Sequence, residues 1–492
     1  LKCDAGQLAV QHHIFFMDNL FNMKFKHFAL LIFLPLLPVK GFTQSPVQKL
    51  EAAYQEFTAD PQTRYAMTSL CVLDAGTGKV LFARNENIGL ATASTLKTIT
   101  SATAFSLLGK DFRYQTTLSY SGSISNGVLK GDLVITGSGD PTLASSRYPQ
   151  SKENNILNQW VAAVKAAGIT RIEGRVIGDD TAWGTSSTPE GWIWQDIGNY
   201  YGAAPSALTW RENQFDIHLR ANRSEDPAVS ILNIVPSMPY LKIVNELKAG
   251  TEGSGDNAYA YLPPLSSIAY LRGSWALGIR KTGISAALPD PAYDAAYRLQ
   301  DTLKRVGIIS TQEAVSGRKI LADNGKIPAV TEKISTISSP SLSEMIYWFN
   351  KKSINLYGEN LLRTLASKAG KPATTKNGAA VEISYWASKG LDKNALNIID
   401  GSGLSPATRV TTSAMASVLF QAQKEDWFPD YYKSLPENNG MQLKSGTISD
   451  VSAFAGYYTD PAGRKYIIVI NVNNYSGTGI NKKLFRVLDA LK

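Results

Sequence analysis

The sequence predicts an α/β (α+β) domain assembled from both ends of the chain and split by a large β-rich insertion. Three observations predict it. The chain has 492 residues, more than one ordinary hydrophobic core accommodates, so two or three domains are expected. Both ends combine hairpin-like strands with helices, whereas residues 110–329 carry many short strands separated by turn signals. With 44% hydrophobic and 18% charged residues, the composition is globular and excludes wholesale disorder. The division is then 1–43, an N-terminal extension plus leader; 44–109, the first part of the split domain; 110–329, an insertion expected to form two subdomains; and 330–492, the second part.

The leader comes first. Met23-Lys24-Phe25-Lys26-His27 is basic, an apolar run follows from Phe28 to Pro38, and Gly41-Phe42-Thr43-Gln44 supplies small and polar residues. That is the order of a cleavable secretory signal, with the apolar run too short for a comfortable membrane span. Export to the periplasm or cell envelope is expected, with cleavage near Thr43 and Met23 as the start. Residues 1–22 read as an upstream extension, and an uncleaved anchor is the alternative.

Residues 66–84 read as a hairpin around Asp74-Ala75-Gly76-Thr77-Gly78. A helix is expected from Ser94 to Leu108, with Leu96, Ile99, Thr103 and Leu107 at helical spacing and Gly109 as its stop. In the insertion, Ser125-Asn126-Gly127 joins strands over 117–121 and 128–136. Helices are expected at 153–167 and 294–306, a strand at 275–280, and irregular aromatic-rich chain over 183–210. Ser341-Leu342-Ser343-Glu344 has capping-box form and opens a helix to Asn350, followed by another over 356–367. Strands at 441–447, 453–458 and 465–472 follow. A final amphipathic helix carries Ile480, Leu484, Val487, Leu488 and Leu491 on one face.

The net charge of +9 raises the question of a polyanionic partner. No basic run or zinc-ligand spacing accompanies it, so nucleic acid is not expected. Peripheral association with an anionic membrane or cell wall fits the charge, as does a merely solvated basic surface. Cys3 and Cys71 are too isolated for a disulfide framework or metal site, and Cys71, within apolar 68–73, reads as a buried structural thiol. His12, His13 and His27 lie in the extension and leader, and His218 sits in an alternating strand-like run. A Ser-His-Asp triad is therefore not expected, and any nucleophile needs another base.

Ser94-Thr95-Leu96-Lys97 places a hydroxyl and an amine on one face of a helix start. The helix terminus favours negative charge there, and a desolvated lysine is one of the few substitutes for histidine as a base. Ser316-Gly317-Arg318-Lys319 has the same spelling but lacks an apolar helical face. Ser353-Ile354-Asn355 falls in the break between two helices, where Ser and Asn can face a cleft or simply cap the next helix. Lys444-Ser445-Gly446-Thr447 lies on a strand, where Lys and hydroxyls can bind a carboxylate and Gly446 permits backbone approach. Lys281-Thr282-Gly283 is a decoy, expected in a surface turn.

In that order, Ser94/Lys97, Ser353/Asn355 and Lys444/Ser445/Gly446 resemble the motif series of penicillin-binding proteins and serine β-lactamases. The first gap is 259 residues (353 − 94) and the second 91 (444 − 353). So long a first gap is similar to the D-alanyl-D-alanine carboxypeptidase/endopeptidase family of low-molecular-mass penicillin-binding proteins. Residues 131–143, 201–203, 206–208 and 400–405 match the same family, and the resemblance runs from about residue 45 to the end. It implies a penicillin-binding-protein/serine β-lactamase-like transpeptidase domain and hydrolysis of peptidoglycan stem peptides or cross-links.

By the same resemblance, Ser94 is the nucleophile, Lys97 its base, and the backbone N–H groups of Ser94 and Thr447 hold the oxyanion. Ser353, assisted by Lys444, relays a proton to the leaving amine. Asn355 holds the acyl-side amide, and Ser445 and Thr447 bind the terminal carboxylate. Ser445 stands where the family more often has Thr. No metal or organic cofactor is implied, β-lactams are expected covalent inhibitors at Ser94, and the oligomeric state stays open. The insertion is implied to flank the cleft. There Asp179, Asp180 and Trp183 could meet the peptide side chain or form a plain loop around a packed Trp. A β-lactamase and a catalytically silent envelope-binding protein of the same fold are the alternatives.

Overall fold

Period-two alternation in the terminal strands builds one central sheet. The computed structural model describes residues 45–222 and 228–492. The extension, the leader and its cleavage near Thr43 lie outside the described residues. The strands are β1 (Met67–Asp74), β2 (Val80–Arg84), β3 (Glu437–Asn438), β4 (Met441–Ile448), β5 (Val451–Thr459) and β6 (Lys465–Asn473). They pair antiparallel in the order β2-β1-β6-β5-β4-β3, so the first hairpin docks directly on the last long strand. Leu70 and Val72 of β1 face one side with Ile468, Ile470 and Val472 of β6. Cys71 and Leu73 face the other with Ile467 and Val469, so the sheet is buried on both faces.

The helices that cover it are α1 (Pro46–Ala59), α2 (Lys97–Leu108), α3 (Leu342–Lys352), α4 (Asn355–Lys368), α5 (Thr375–Ser388), α6 (Thr412–Ala422) and α7 (Ile480–Asp489). α1 opens with a Ser45/Gln48 capping box and Pro46 in its first turn. It lies with α7 on the first face, where Leu50, Tyr54 and Phe57 meet Ile480, Leu484, Val487 and Leu488. The second face carries α2, α3, α4 and α6. α2 differs from the one-faced helix expected. Every residue from Lys97 to Phe105 is buried, while Leu107, assigned to the apolar stripe, is exposed. Thr, Ser and Ala are small enough for neighbours to close on all sides, and the hydroxyls bond backbone carbonyls, as Thr100 does to Gly401 O at 2.9 Å.

The inserted region has its own contiguous apolar cluster, running from Leu118 to Ile337. Its helices form close to where the sequence put them, at Glu153–Ala166 and Pro291–Arg305. The single strand expected over 128–136 is instead two, Val128–Lys130 and Leu133–Thr136, in different sheets. The chain breaks at Gly131, where a Cβ would fall 2.0 Å from Ser121 O. Glu332–Ser338, placed in the second part of the split domain by the division at 329/330, pairs with Gln115–Tyr120 of the insertion. The strand expected at 275–280 is Ile268–Ala276. Beyond it, exposed Lys281 pairs with Asp256 at 2.5 Å.

Candidate active site

Ser94 sits in a 3-10 turn, Ala93–Leu96, that precedes α2. The helix begins only at Lys97, so the nucleophile candidate belongs to a clamped turn rather than to the helix itself. Ala93 has φ +44°, a left-handed conformation that its surroundings impose. Gly403 packs against it, and a Cβ there would lie 1.9 Å from Ala93 O. Just upstream, Asn473 Oδ1 accepts from Ala91 N at 2.9 Å and Asn471 Nδ2 donates to Ala91 O at 2.9 Å. β4 crosses so closely that a Cβ on Gly446 would lie 2.7–2.9 Å from Thr92 O, Thr95 N and Ser94 N. Gly446 is thus required by backbone-to-backbone approach.

Lys97 is fully buried, and its Nζ lies 2.8 Å from Ser94 Oγ, 2.7 Å from Asn355 Oδ1 and 2.8 Å from Ser402 O. A neutral amine has two N–H donors and one lone pair. Asn355 Oδ1 and Ser402 O take the two donors, which leaves the lone pair for the Ser94 hydroxyl. Burial, then repulsion from Lys444, holds the Lys97 ammonium well below the ordinary lysine range. Lys444 is also buried, its amine brought down to about 7 by desolvation, and its Nζ donates to Ser445 O at 2.7 Å.

Ser353 ends α3 in a left-handed conformation, φ +55°, and Asn355 begins α4. Neither caps a helix with its side chain, so the capping alternative does not hold. Asn355 is engaged at both ends, because Nδ2 donates to Tyr201 O at 2.8 Å while Oδ1 receives Lys97. It therefore orients Lys97 and ties the site to the insertion, with the second N–H of Nδ2 left over from these two contacts.

Ser94, Ser353, Asn355 and Thr447 line one cleft of about 470 Å³. Thr447 is exposed and Ser445 half-buried on the same face of β4, while Lys444 and Gly446 alternate with them towards the Ser94 turn. Asp179, Asp180 and Trp183 are not in this cleft. Asp179 accepts from Thr181 N and Oγ1, Asp180 is buried in an ion pair with Arg318 at 2.5 Å, and Trp183 packs against Gly139 and beneath Arg363. They form the packed-loop alternative. The decoy motif is structural too, since Ser316 Oγ bonds Asp290 at 2.7 Å and Lys319 pairs with Asp323 on the surface.

Several side chains of the site were not singled out from sequence. Asp196 lines the cleft beside Tyr201, its carboxyl pushed up by burial. Glu212, the middle of three consecutive left-handed residues (Arg211, Glu212, Asn213), accepts from Arg147 at 2.9 Å, Ser145 at 2.7 Å and Tyr357 OH at 2.8 Å. It thereby joins the insertion to α4. The 400–405 stretch, matched to the family but given no site role from sequence, is part of the site: Ser402 O receives Lys97, and Asp400 accepts from Ser405 N, Thr408 Oγ1 and Trp192 Nε1. Glu359 and Glu382 lie wholly buried behind α2, and desolvation pushes each carboxyl up to about 8. Among the described residues no three His, Cys, Asp or Glu side chains converge so as to hold a metal ion.

Known proteins share both the text and the fold. The chain is 26% identical over 487 residues to a D-alanyl-D-alanine carboxypeptidase of Actinomadura sp. (strain R39), covering 91% of this chain and 87% of that one. It is 26% identical over 424 residues to the D-alanyl-D-alanine carboxypeptidase DacB of Haemophilus influenzae, covering 82% and 84%. The crystal structure of penicillin binding protein 4 (dacB) from Haemophilus influenzae superposes with a TM-score of 0.75 at 22% identity, covering 89% of this chain and 97% of that one. The expected penicillin-binding-protein fold, an α/β domain split by an insertion, is the fold observed. The model of the D-Ala-D-Ala carboxypeptidase 3 (S13) family matches residues 50–491, and the chain belongs to that family.

Proposed function

We propose that the protein is a serine-type D-Ala-D-Ala carboxypeptidase that works through an acyl-enzyme on Ser94. The observation that carries this reading is the buried Lys97 amine, hydrogen-bonded to three uncharged partners with its lone pair free for Ser94. Lys97 takes the Ser94 proton as Oγ attacks the carbonyl between the two D-alanines. The backbone N–H groups of Ser94 and Thr447 stabilise the oxyanion, and Ser353 passes a proton to the departing amine. The hydroxyls of Ser445 and Thr447 receive the terminal carboxylate, and water then releases the acyl group. Asn355 fixes Lys97 through Oδ1, and its second Nδ2 hydrogen can donate to the acyl-side amide of the substrate.

Cleavage of cross-links needs the same steps with a longer leaving group, so endopeptidase action belongs to this proposal. So does acylation by β-lactams, which a structural relative binds: penicillin binding protein 4 from Haemophilus influenzae has a crystal structure complexed with a β-lactam. A peptidoglycan substrate and the basic-apolar-small order of residues 23–44 together support export to the cell envelope.

The test is digestion of purified cross-linked muropeptides by the protein, read by mass spectrometry. Loss of one terminal alanine reports carboxypeptidase action, and conversion of dimers to monomers reports endopeptidase action. Ser94→Ala should abolish both and prevent covalent labelling by fluorescent penicillin. Labelling that survives in Ser94→Ala would overturn the assignment.

A further inference from the structure

The outer face of one insertion ribbon is aromatic where solvent would ordinarily select polar residues. In the strand Asp256–Tyr261, Ala258 and Ala260 turn into the core and Tyr259 and Tyr261 turn out. In its antiparallel neighbour, Ile268–Ala276, Ala269 and Leu271 turn in while Tyr270 and Arg272 turn out. The register sets Tyr261 opposite Tyr270 and Tyr259 opposite Arg272. Arg272 lies over both flanking rings, 5.2 Å from Tyr261 and 5.1 Å from Tyr270, and is held there by Glu246 at 2.7 Å. Trp194, 51% exposed, extends the row at 6.1 Å from Tyr261. The row runs into the catalytic cleft, because Tyr259 and Ile193, the neighbour of Trp194, line its wall.

We propose that this strip is a saccharide platform for the glycan that carries the stem peptide. The inference rests on the peptidoglycan substrate proposed above. Flat ring faces suit the C–H faces of pyranoses, and the Arg272–Glu246 pair offers a donor and an acceptor for hydroxyls in the same plane. Rings interleaved with an ion pair form a poor surface for lipid, which calls for a continuous apolar patch. Continuity with the cleft places the saccharide on the same molecule as the scissile peptide. Trp194 and Tyr270 are exposed, so truncating them leaves the core intact.

The experiment compares Trp194→Ala/Tyr270→Ala with the parent on two substrates that share one stem pentapeptide, either free or linked to its disaccharide. The variant should turn over the free peptide within about twofold of the parent. On the glycopeptide, kcat/KM should fall about tenfold, carried by KM, the scale of losing one or two aromatic contacts. Equal effects on both substrates, or none on either, would overturn the platform. Retention on peptide-free glycan chains gives a readout that does not need turnover. Binding by the parent and loss in the variant supports the platform even if neither peptide is hydrolysed, which would instead defeat the proposed activity. Equal retention of parent and variant on the glycan overturns it, as does retention on anionic vesicles but not on glycan.

Discussion

Lys97 shows how much of the chemistry is set by what surrounds a single side chain. Its nitrogen meets a hydroxyl, an amide oxygen and a peptide carbonyl, with no carboxylate in contact to stabilise the ammonium. Desolvation therefore wins, and the amine stays neutral at pH values where a surface lysine is charged. Lys97→Arg should slow acylation about 10²–10⁴-fold, since guanidinium keeps its proton and cannot act as a base. Stopped-flow acylation by a chromogenic β-lactam measures this. In the parent protein the same rate should fall as pH is lowered and Lys97 gains a proton, and in Lys97→Arg that acid limb should vanish. Gly446→Ala should also suppress acylation, because the atoms nearest its Cβ are backbone atoms of Thr92, Ser94 and Thr95, and none of these can rotate away. Overpacking of this kind costs about 1–3 kcal/mol, which thermal unfolding would register alongside the lost penicillin labelling. Ser94, Lys97 and Asn355 were legible because side chains carry their part. Ser402 was not, since it contributes a carbonyl that every residue possesses. Asp179 and Asp180 stayed open between two readings because an acid beside a Trp reads alike in a cleft or a core, and the partner of Asp180, Arg318, lies far along the chain.

At the scale of elements, α2 is enclosed by helices that carry ionisable groups of their own. Glu382 of α5 is wholly buried, one oxygen has no hydrogen-bond partner, and desolvation raises its carboxyl to about 8. The sign of the pH effect follows. The folded chain keeps this proton up to about pH 8, whereas the unfolded chain releases it near the ordinary glutamate value of about 4.5. Between these limits the native state binds more protons, so stability falls as pH rises through the window. Glu359 of α4, also raised to about 8, adds to the same slope. Lys97 and Lys444, both lowered by burial, push the opposite way, so the Glu382 contribution is read as a difference. From pH 5 to 8 the denaturant midpoint of the parent should decline relative to that of Glu382→Gln, since an amide of the same shape does not titrate. A midpoint in Glu382→Gln that still tracks pH as the parent does would show that Glu382 is not the titrating group. None of this was visible in the helical periodicity, which marks which face is apolar but not when a helix is buried all round. α2 was misjudged for that reason: its Thr, Ser and Ala positions look solvent-facing in a helical pattern, whereas they are where the neighbouring elements close in.

For the molecule as a whole, the decisive feature is that the catalytic half is assembled from chain ends about 400 residues apart in sequence. β1 pairs along its full length with β6, from Met67 opposite Asn473 to Asp74 opposite Tyr466, and α7 closes the outer face against α1. The strand text at both ends was readable because each strand is bounded by turn residues. The pairing of β1 with β6 was only suggested, because nothing local in either strand specifies a partner that distant. The consequence is a dependence of the active site on the C-terminal helix, although α7 contributes no side chain to the cleft. Removing residues 480–492 would expose Leu70, Ile468 and Ile470 together with the apolar face of α1, an area much larger than one core side chain. A single Leu484→Ala, by contrast, should cost about 2–5 kcal/mol and leave a folded, penicillin-labelled protein at moderate temperature. The truncated chain should fail to label with fluorescent penicillin and should be cleaved by protease within β1 and β6 as well as near its new end. Limited proteolysis followed by mass spectrometry reads this directly. Protection of β1 and β6 in a truncated chain that still labels would mean that the sheet holds without its outer helical layer. In that case the Ser94 turn would owe its geometry to β4, Gly403, Asn471 and Asn473.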